Sequence, residues 1–295
     1  MENLSVFFGN FLALNDITLN ISKSDGIIGL IGPNGAGKTT LIHSILKITH
    51  YNNGYIENYD TKIAYCPDTP EFPDDLNAIE VLYYSAWISG LPKPKEQSIS
   101  NLLSMVGLSE YKNNKASSFS RGMKQRLGIA SSLVLNPELL FLDEPTSALD
   151  PFGREEILDI IKKISKKTTV VISTHNLTEV QEIANKLIVI NKGRLLYTGD
   201  LTDFLGKEEL SSIELYNVKG LKQFIEVFKK NNIKLFESKS SDDKVLMFPH
   251  SDFPKVLSLI DEKLSPYVKS CNDRKLNLYD AFYRIVNKNE ETVHD

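Results

Sequence analysis

Apolar residues fall into two patterns along this chain. The unbroken runs Gly26-Ile27-Ile28-Gly29-Leu30-Ile31, Leu139-Leu140-Phe141-Leu142 and Thr168-Thr169-Val170-Val171-Ile172-Ser173-Thr174 read as strands covered on both faces, as in a parallel sheet between helices. Spaced apolar positions read as helices. One follows the first run, carrying Thr40, Leu41, Ile42, Ile45 and Leu46. A second, over Glu80–Ser89, uses Val81, Leu82, Tyr84, Ser85 and Ile88 and is broken by Gly90-Leu91-Pro92-Lys93-Pro94. A third lies near Ser98–Val106 and stops at Gly107. Lys62-Ile63-Ala64-Tyr65-Cys66-Pro67 reads as another strand, and Ile188–Gly199 as a hairpin with a tight polar turn.

Past a boundary near Gly206-Lys207 the pattern becomes α+β. Ser212–Val218 alternates as a strand, and Leu221, Phe224, Ile225 and Phe228 mark one face of a helix. Ile233–Ser238 and Lys244–Phe248 read as strands joined by Lys239-Ser240-Ser241-Asp242-Asp243. Phe253–Leu264 reads as a helix with Val256, Leu257, Ile260 and Leu264 on one side; Pro266–Cys271 is a fourth strand, and a last helix runs from Leu278 to about Lys288. The order β-α-β-β-α-β is that of a ferredoxin-like unit. It carries no catalytic constellation, so residues 206–295 are expected to form a small accessory domain for docking or dimer support.

The chemistry sits at the ends of the apolar runs. Gly32-Pro33-Asn34-Gly35-Ala36-Gly37-Lys38-Thr39 follows the first run and opens the first helix, the context that identifies a phosphate-binding P-loop. Its glycines let backbone N–H groups converge on the β- and γ-phosphates, and the helix N-terminus adds partial positive charge. Lys38 supplies a mobile positive charge, and the Thr39 hydroxyl is placed to hold Mg²⁺. The second run ends in Asp143-Glu144-Pro145, at the strand tip where α/β sheets bind ligands. Asp143 would complete the Mg²⁺ shell and Glu144 would polarise an attacking water. The plainer alternative is a polar loop start.

Between these motifs, Phe119-Ser120-Arg121-Gly122-Met123-Lys124-Gln125-Arg126 resembles the signature of the ATP-binding-cassette (ABC) ATPases, LSGGQ followed by basic residues. Ser120 and Gly122 match; Phe119, Arg121 and Met123 depart, in a way familiar from bacterial exporter subunits. Arg121 either favours phosphate or is merely solvated. Ser147-Ala148-Leu149-Asp150 resembles the family's D-loop, which crosses the dimer seam. His175 stands where the family contacts the γ-phosphate and the catalytic glutamate, before a helix capped by Asn176 or Thr178. Phe8-Gly9-Asn10-Phe11 resembles the aromatic loop that stacks on adenine. Phe8 is the first candidate and Phe11 the second, with ordinary sheet core as the alternative for Phe8. Asp68 occupies the place of the family's usual glutamine, where it would bind Mg²⁺, orient water, or pair with a basic neighbour and transmit motion.

The resemblance implies an α/β P-loop NTPase cassette over residues 1–205, with an inserted helical arm at about 70–135. It implies ATP and Mg²⁺ as cofactors, with Thr40 beside the P-loop ligands. It also implies a head-to-tail dimer in which Ser120 and Gly122 of one cassette face the nucleotide of the other. The expected partners are a second cassette and an integral-membrane transporter subunit. That subunit would dock at the inner face of the membrane near Asp74–Tyr84, where Tyr83, Tyr84 and Trp87 are either docking aromatics or arm core. Export is favoured over import. The alternative is a cytosolic ABC ATPase acting on nucleic acid or ribosomes, which usually needs two cassettes, a long coiled coil or a basic face.

Composition narrows this little. The chain has 295 residues, 41% hydrophobic and 24% charged, which suits one large or two moderate globular domains. A net charge of −4 gives no reason to expect nucleic-acid binding. The two cysteines, Cys66 and Cys271, are too few and too far apart for a disulfide scaffold or zinc site. The start of the chain lacks the features of a signal peptide. No run reaches the roughly 18 apolar residues of a spanning helix, so any pore is expected in another chain.

Overall fold

The unbroken apolar runs pair at the centre of a six-stranded sheet. The computed structural model describes residues 1–57, 61–206, 210–237, 244–272 and 278–291. β1 (Glu2–Phe8) and β2 (Phe11–Ile17) form a hairpin, and β3 (Ile27–Ile31) leads into α1 (Lys38–Ile45). β4 (Asn53–Tyr55) pairs with β1, giving a small antiparallel sheet of order β2-β1-β4. Next come β5 (Ile63–Cys66), α2 (Ala78–Ile88), α3 (Glu96–Met105), α4 (Arg121–Leu133), β6 (Leu139–Asp143) and α5 (Pro151–Ile164). They are followed by β7 (Thr169–Thr174), α6 (Leu177–Ile183), β8 (Lys186–Asn191) and β9 (Arg194–Asp200).

The large sheet has the order β5-β6-β7-β3-β8-β9, and the pairs from β5 through β8 are parallel. Every residue of β3, β6 and β7 is buried. Alternate residues of β6 feed two different apolar clusters. Leu139 and Phe141 pack with Leu41 and Ile42 of α1, while Leu140 and Leu142 pack with residues of α2 to α5. Side chains of a strand point alternately to its two faces, so unbroken apolarity records cover on both. The parallel register sets Ile31 opposite Thr174 and Asp143 opposite Ser173. The loops after β3, β6 and β7 therefore leave the same edge of the sheet.

The segment between β5 and β6 is helical. α2 begins earlier than its apolar spacing suggests because Asn77 and Glu80 cap it reciprocally. Asn77 Oδ1 accepts from the Glu80 N–H at 3.0 Å, and Glu80 Oε2 accepts from the Asn77 N–H at 2.8 Å. Capping boxes satisfy two orphan donors. Asn77→Ala is expected to lower stability by about 0.5–2 kcal/mol, read by urea denaturation, with ATP turnover per folded molecule unchanged.

The chain separates into two compact units, Met1–Gly199 and Asp200–Asp295. The boundary expected near Gly206-Lys207 thus falls earlier. The reason is α7 (Leu201–Leu205), which packs with α10 (Leu278–Glu291) in the second unit. Lys207 itself lies outside the described residues. The second unit also contains β10 (Leu210–Leu215), α8 (Val218–Lys230), β11 (Phe236–Glu237), β12 (Val245–Pro249), α9 (Phe253–Leu259) and β13 (Val268–Asn272). Its sheet has the order β11-β12-β10-β13 with all pairs antiparallel. Phe224 and Phe228 of α8 pack with Phe248 of β12 at its centre, all fully buried.

Three sequence expectations need correction here. The strand expected over Ile233–Ser238 covers only Phe236–Glu237 among the described residues. The strand expected to reach Val218 ends before it, because Asn217 Oδ1 accepts from the Gly220 N–H at 3.0 Å and caps α8. The helix expected over Phe253–Leu264 ends at Leu259. The Asp261 carboxylate accepts from the Lys263 and Leu264 N–H groups at 2.9 and 3.0 Å and turns the chain. Leu257, expected on the same side as Val256, is exposed, whereas Val256 is buried. The expected connection Lys239–Asp243 lies outside the described residues.

Candidate active site

The loop after β3 and the end of β6, at one edge of the parallel sheet, form a cleft of about 380 Å³ with the β1–β2 hairpin; His175, after β7, does not line it. Asn34, Gly35, Ala36, Gly37, Lys38, Thr39 and Thr40 line it from the loop after β3 and the start of α1; Asp143 and Glu144 line it from the end of β6. Phe8, Phe11 and Ala13 line it from the β1–β2 hairpin.

The loop after β3 depends on its glycines. A Cβ on Gly32 would strike the Ile190 carbonyl of β8. Gly37 has φ +107°, and a Cβ there would lie 2.8 Å from a Leu14 methyl and 3.0 Å from the Ala13 carbonyl. Only glycine holds that conformation beside another backbone. The loop thereby delivers the N-terminus of α1 to the cleft, an anion-binding end. The Lys38 ammonium is buried and donates to the carbonyls of Gly32 and Pro33 at 2.8 and 3.2 Å. Burial lowers its pKa, and the nearby carboxylates of Glu144 and Asp143 oppose that shift.

Three hydroxyl groups hold the Asp143 carboxylate. Its Oδ2 accepts from Thr39 Oγ1 at 3.0 Å and from the Tyr65 hydroxyl at 3.4 Å, and its Oδ1 accepts from Ser173 Oγ. Burial, then the Asp143 charge, push the Tyr65 pKa up, which keeps that hydroxyl a donor. Thr39 and Asp143 thus bring two oxygen donors together, the ligand type that hard divalent cations take.

Glu144 adopts φ +44°, a left-handed conformation uncommon outside glycine. Its N–H donates to the Ser173 carbonyl at 2.9 Å, and its own carbonyl accepts from the Ser147 N–H at 3.0 Å. Its two carboxylate oxygens lie 3.0 and 2.9 Å from His175 Nδ1. An ionised carboxylate only accepts, so as a hydrogen bond to a carboxylate this contact requires the proton on Nδ1. Asn176 caps α6 after His175, through its Oδ1 and the Thr178 N–H at 3.2 Å.

Phe8 and Phe11 are opposite one another at the hairpin end and are 53% and 64% exposed. Phe8 is therefore not sheet core. Ser120 caps α4, its Oγ accepting from the Met123 N–H at 3.2 Å, with Gly122 in the first turn. Neither Ser120 nor Gly122 lines the cleft, nor does the exposed Asp68. Trp87 of α2 is 72% exposed and tilted against Tyr84, which is also exposed. Tyr83 is partly buried beneath Lys93.

Sequence reasoning missed several groups around this cleft. Ser173 and Tyr65 orient Asp143. Gln125 is buried on α4, and its Nε2 donates to the Pro67 carbonyl at 3.4 Å, next to Asp68. Thr146 and Glu179 join by a 2.6 Å hydrogen bond. Among the described residues no group of three or more His, Cys, Asp or Glu side chains could hold a metal ion by itself. No described helix is long and apolar enough to cross a membrane.

Residues 14–147 match the ABC transporter family. The chain is 32% identical over 222 residues to an uncharacterised ABC transporter ATP-binding protein, YxlF, of Bacillus subtilis, spanning 73% of this chain and 75% of that protein. It is 38% identical over 208 residues to the bacitracin transport ATP-binding protein BcrA of Enterococcus faecalis, spanning 66% of this chain and 67% of that protein. The solved structure of an ATP-binding subunit of an ABC transporter superposes with a TM-score of 0.61 at 28% identity, covering 69% of this chain and 90% of that one. The chain belongs to the ABC transporter family as an ATP-binding subunit, an ATPase that drives transport across a membrane.

Proposed function

We propose that this chain powers export from the inner face of a membrane, working as a head-to-tail pair of cassettes. The observation that carries the hydrolytic part is the pair of contacts between Glu144, which lines the P-loop cleft, and His175 Nδ1, at 3.0 and 2.9 Å. In this reading Glu144 polarises the attacking water and His175 holds that carboxylate and senses the γ-phosphate. Lys38 and the N-terminus of α1 bind the phosphates. Phe8 stacks on the adenine ring, and Phe11 stands across the hairpin from it. A phenyl ring reads no hydrogen bonds, so base selectivity is expected to be loose. Thr39 and Asp143 would hold Mg²⁺, which would supply charge neutralisation when bound. Asp68 would add to that shell or orient water.

Ser120 and Gly122 start a helix and lie outside their own chain's cleft. That supports a role at the nucleotide of a second copy. α2 to α4 correspond to the family's helical arm, and the exposed Tyr84 and Trp87 of α2 suit docking of a membrane subunit. BcrA is named for bacitracin transport, so peptide antibiotics are the first cargo class to test. The decisive experiment is co-purification from detergent extract with a multi-span membrane protein, followed by ATP-driven cargo transport in vesicles. Recovery of the cassette with ribosomes or nucleic acid instead would overturn the proposal.

The second unit fits a ferredoxin-like accessory domain, given its element order and antiparallel sheet. A chain ending after Asp200 keeps every phosphate and Mg²⁺ ligand named above. Its affinity for fluorescent ATP is expected to stay within about tenfold of the full chain, roughly 1.4 kcal/mol. Dimer stability or membrane-partner attachment is expected to fall instead. A larger affinity loss in a folded truncation would show that the tail helps to build the nucleotide site.

A further inference from the structure

Glu179 belongs to no motif legible in the sequence, yet it stands between two of them. It is 8% exposed, in the first turn of α6. One carboxylate oxygen accepts from Thr146 Oγ1 at 2.6 Å and the other from Asn176 Nδ2 at 2.9 Å. Among the described residues no cation pairs with it. Burying a carboxylate among neutral partners is costly. For α6 itself Glu179 adds the ordinary first-turn interaction with the helix dipole, since Asn176 caps the helix and Val180 and Ile183 supply its buried apolar face.

The two donors come from the two loops that carry the chemistry. Thr146 is buried two residues after Glu144, and its carbonyl accepts from the Leu149 N–H at 3.3 Å at the root of Ser147–Asp150. Asn176 directly follows His175, and its N–H donates to Thr174 Oγ1 at 2.9 Å. The same two loops also meet through Glu144 and His175. Side chains therefore fasten them both through Glu144 and His175 and through Glu179.

We propose that Glu179 is a positioning residue that fastens the Glu144–Asp150 loop to the His175 segment, so that a push on Ser147–Asp150 from a facing cassette moves His175 against Glu144. This rests on the hydrolytic, two-cassette reading above. The test is steady-state ATP hydrolysis by the full-length chain, with nucleotide affinity and unfolding midpoint measured alongside. Thr146→Val removes the hydroxyl at nearly constant shape. It is expected to lower kcat about tenfold or more while KM stays within about threefold, because small misplacements act on the chemical step. Thr146→Ser restores the hydroxyl and most of the rate. Glu179→Leu removes both bonds together with the buried charge. It is expected to keep or raise the unfolding midpoint and still lose rate.

Since the effect runs through His175, Thr146→Val on a His175→Ala background is expected to add no more than about a twofold loss. Any of three results overturns the inference: parental kcat in folded Thr146→Val or Glu179→Leu, a full further loss on the His175→Ala background, or a KM that rises in step with the fall in kcat. A wild-type chain that hydrolyses no ATP would overturn the functional reading itself, and this inference with it.

Discussion

Glu144→Gln is expected to cut ATP turnover by about 10²–10⁴-fold, the usual contribution of a positioned general base, while strengthening ATP-dependent dimerisation. The substitution keeps the shape of the side chain and an oxygen able to accept from His175 Nδ1, which now meets both carboxylate oxygens within 3.0 Å. It removes only the charge that would polarise water in the reading proposed above. The left-handed backbone at residue 144 is fixed by the bonds of its N–H and carbonyl to Ser173 and Ser147, so the fold is expected to be unaffected. Bound ATP that is not cleaved keeps bridging the two cassettes, an order–release switch held in its ordered state. Size-exclusion chromatography with ATP and Mg²⁺ should shift the variant to dimer, and a phosphate-release assay gives the rate. A variant that hydrolyses at the parental rate would remove Glu144 from the reaction.

Which parts of this arrangement a sequence reveals follows from how local each signal is. The strands β3, β6 and β7 are legible because burial on both faces leaves unbroken apolar runs, and their chemistry lies within a few residues of each run's end. The P-loop, Asp143-Glu144 and His175 could therefore be placed before any coordinates. The supporting contacts were not legible. Thr146 and Glu179 are 33 residues apart, and Gln125 and Pro67 are 58 apart. No periodicity links either pair. Glu179 was further disguised, since an acidic residue in the first turn of a helix is the ordinary response to the helix dipole. Ile260 and Leu264 misled because helical spacing cannot show that Asp261 ends α9 early. Phe8 was ambiguous for a different reason. An aromatic at a hairpin end has the same sequence signature whether it packs inward or, as here, lines a cleft.

The sharpest test of the composite site mixes two inactive proteins. Lys38→Ala removes the ammonium that the P-loop holds beside Gly32 and Pro33. Charge-assisted hydrogen bonds contribute about 1.5–3 kcal/mol, so nucleotide affinity is expected to fall roughly 10- to 150-fold. Ser120→Arg should leave nucleotide affinity of the single chain nearly intact, because Ser120 does not line its own cleft. It loses the helix cap on Met123, a cost of about 1 kcal/mol. α4 tolerates that loss because Leu127, Ile129 and Ala130 bury its inner face. The new guanidinium would block the approach of α4 to a facing nucleotide, so hydrolysis stops. In a mixed dimer one site carries both defects and the other carries neither. Random two-fold pairing of equal amounts should then rebuild about a quarter of the parental sites, measured as ATP turnover after subunit exchange. Exchange between the two folded proteins, followed by a fluorescent label on each, supplies the control. Exchange without any recovery of turnover would mean that each chain completes its own site, and the head-to-tail arrangement would be wrong.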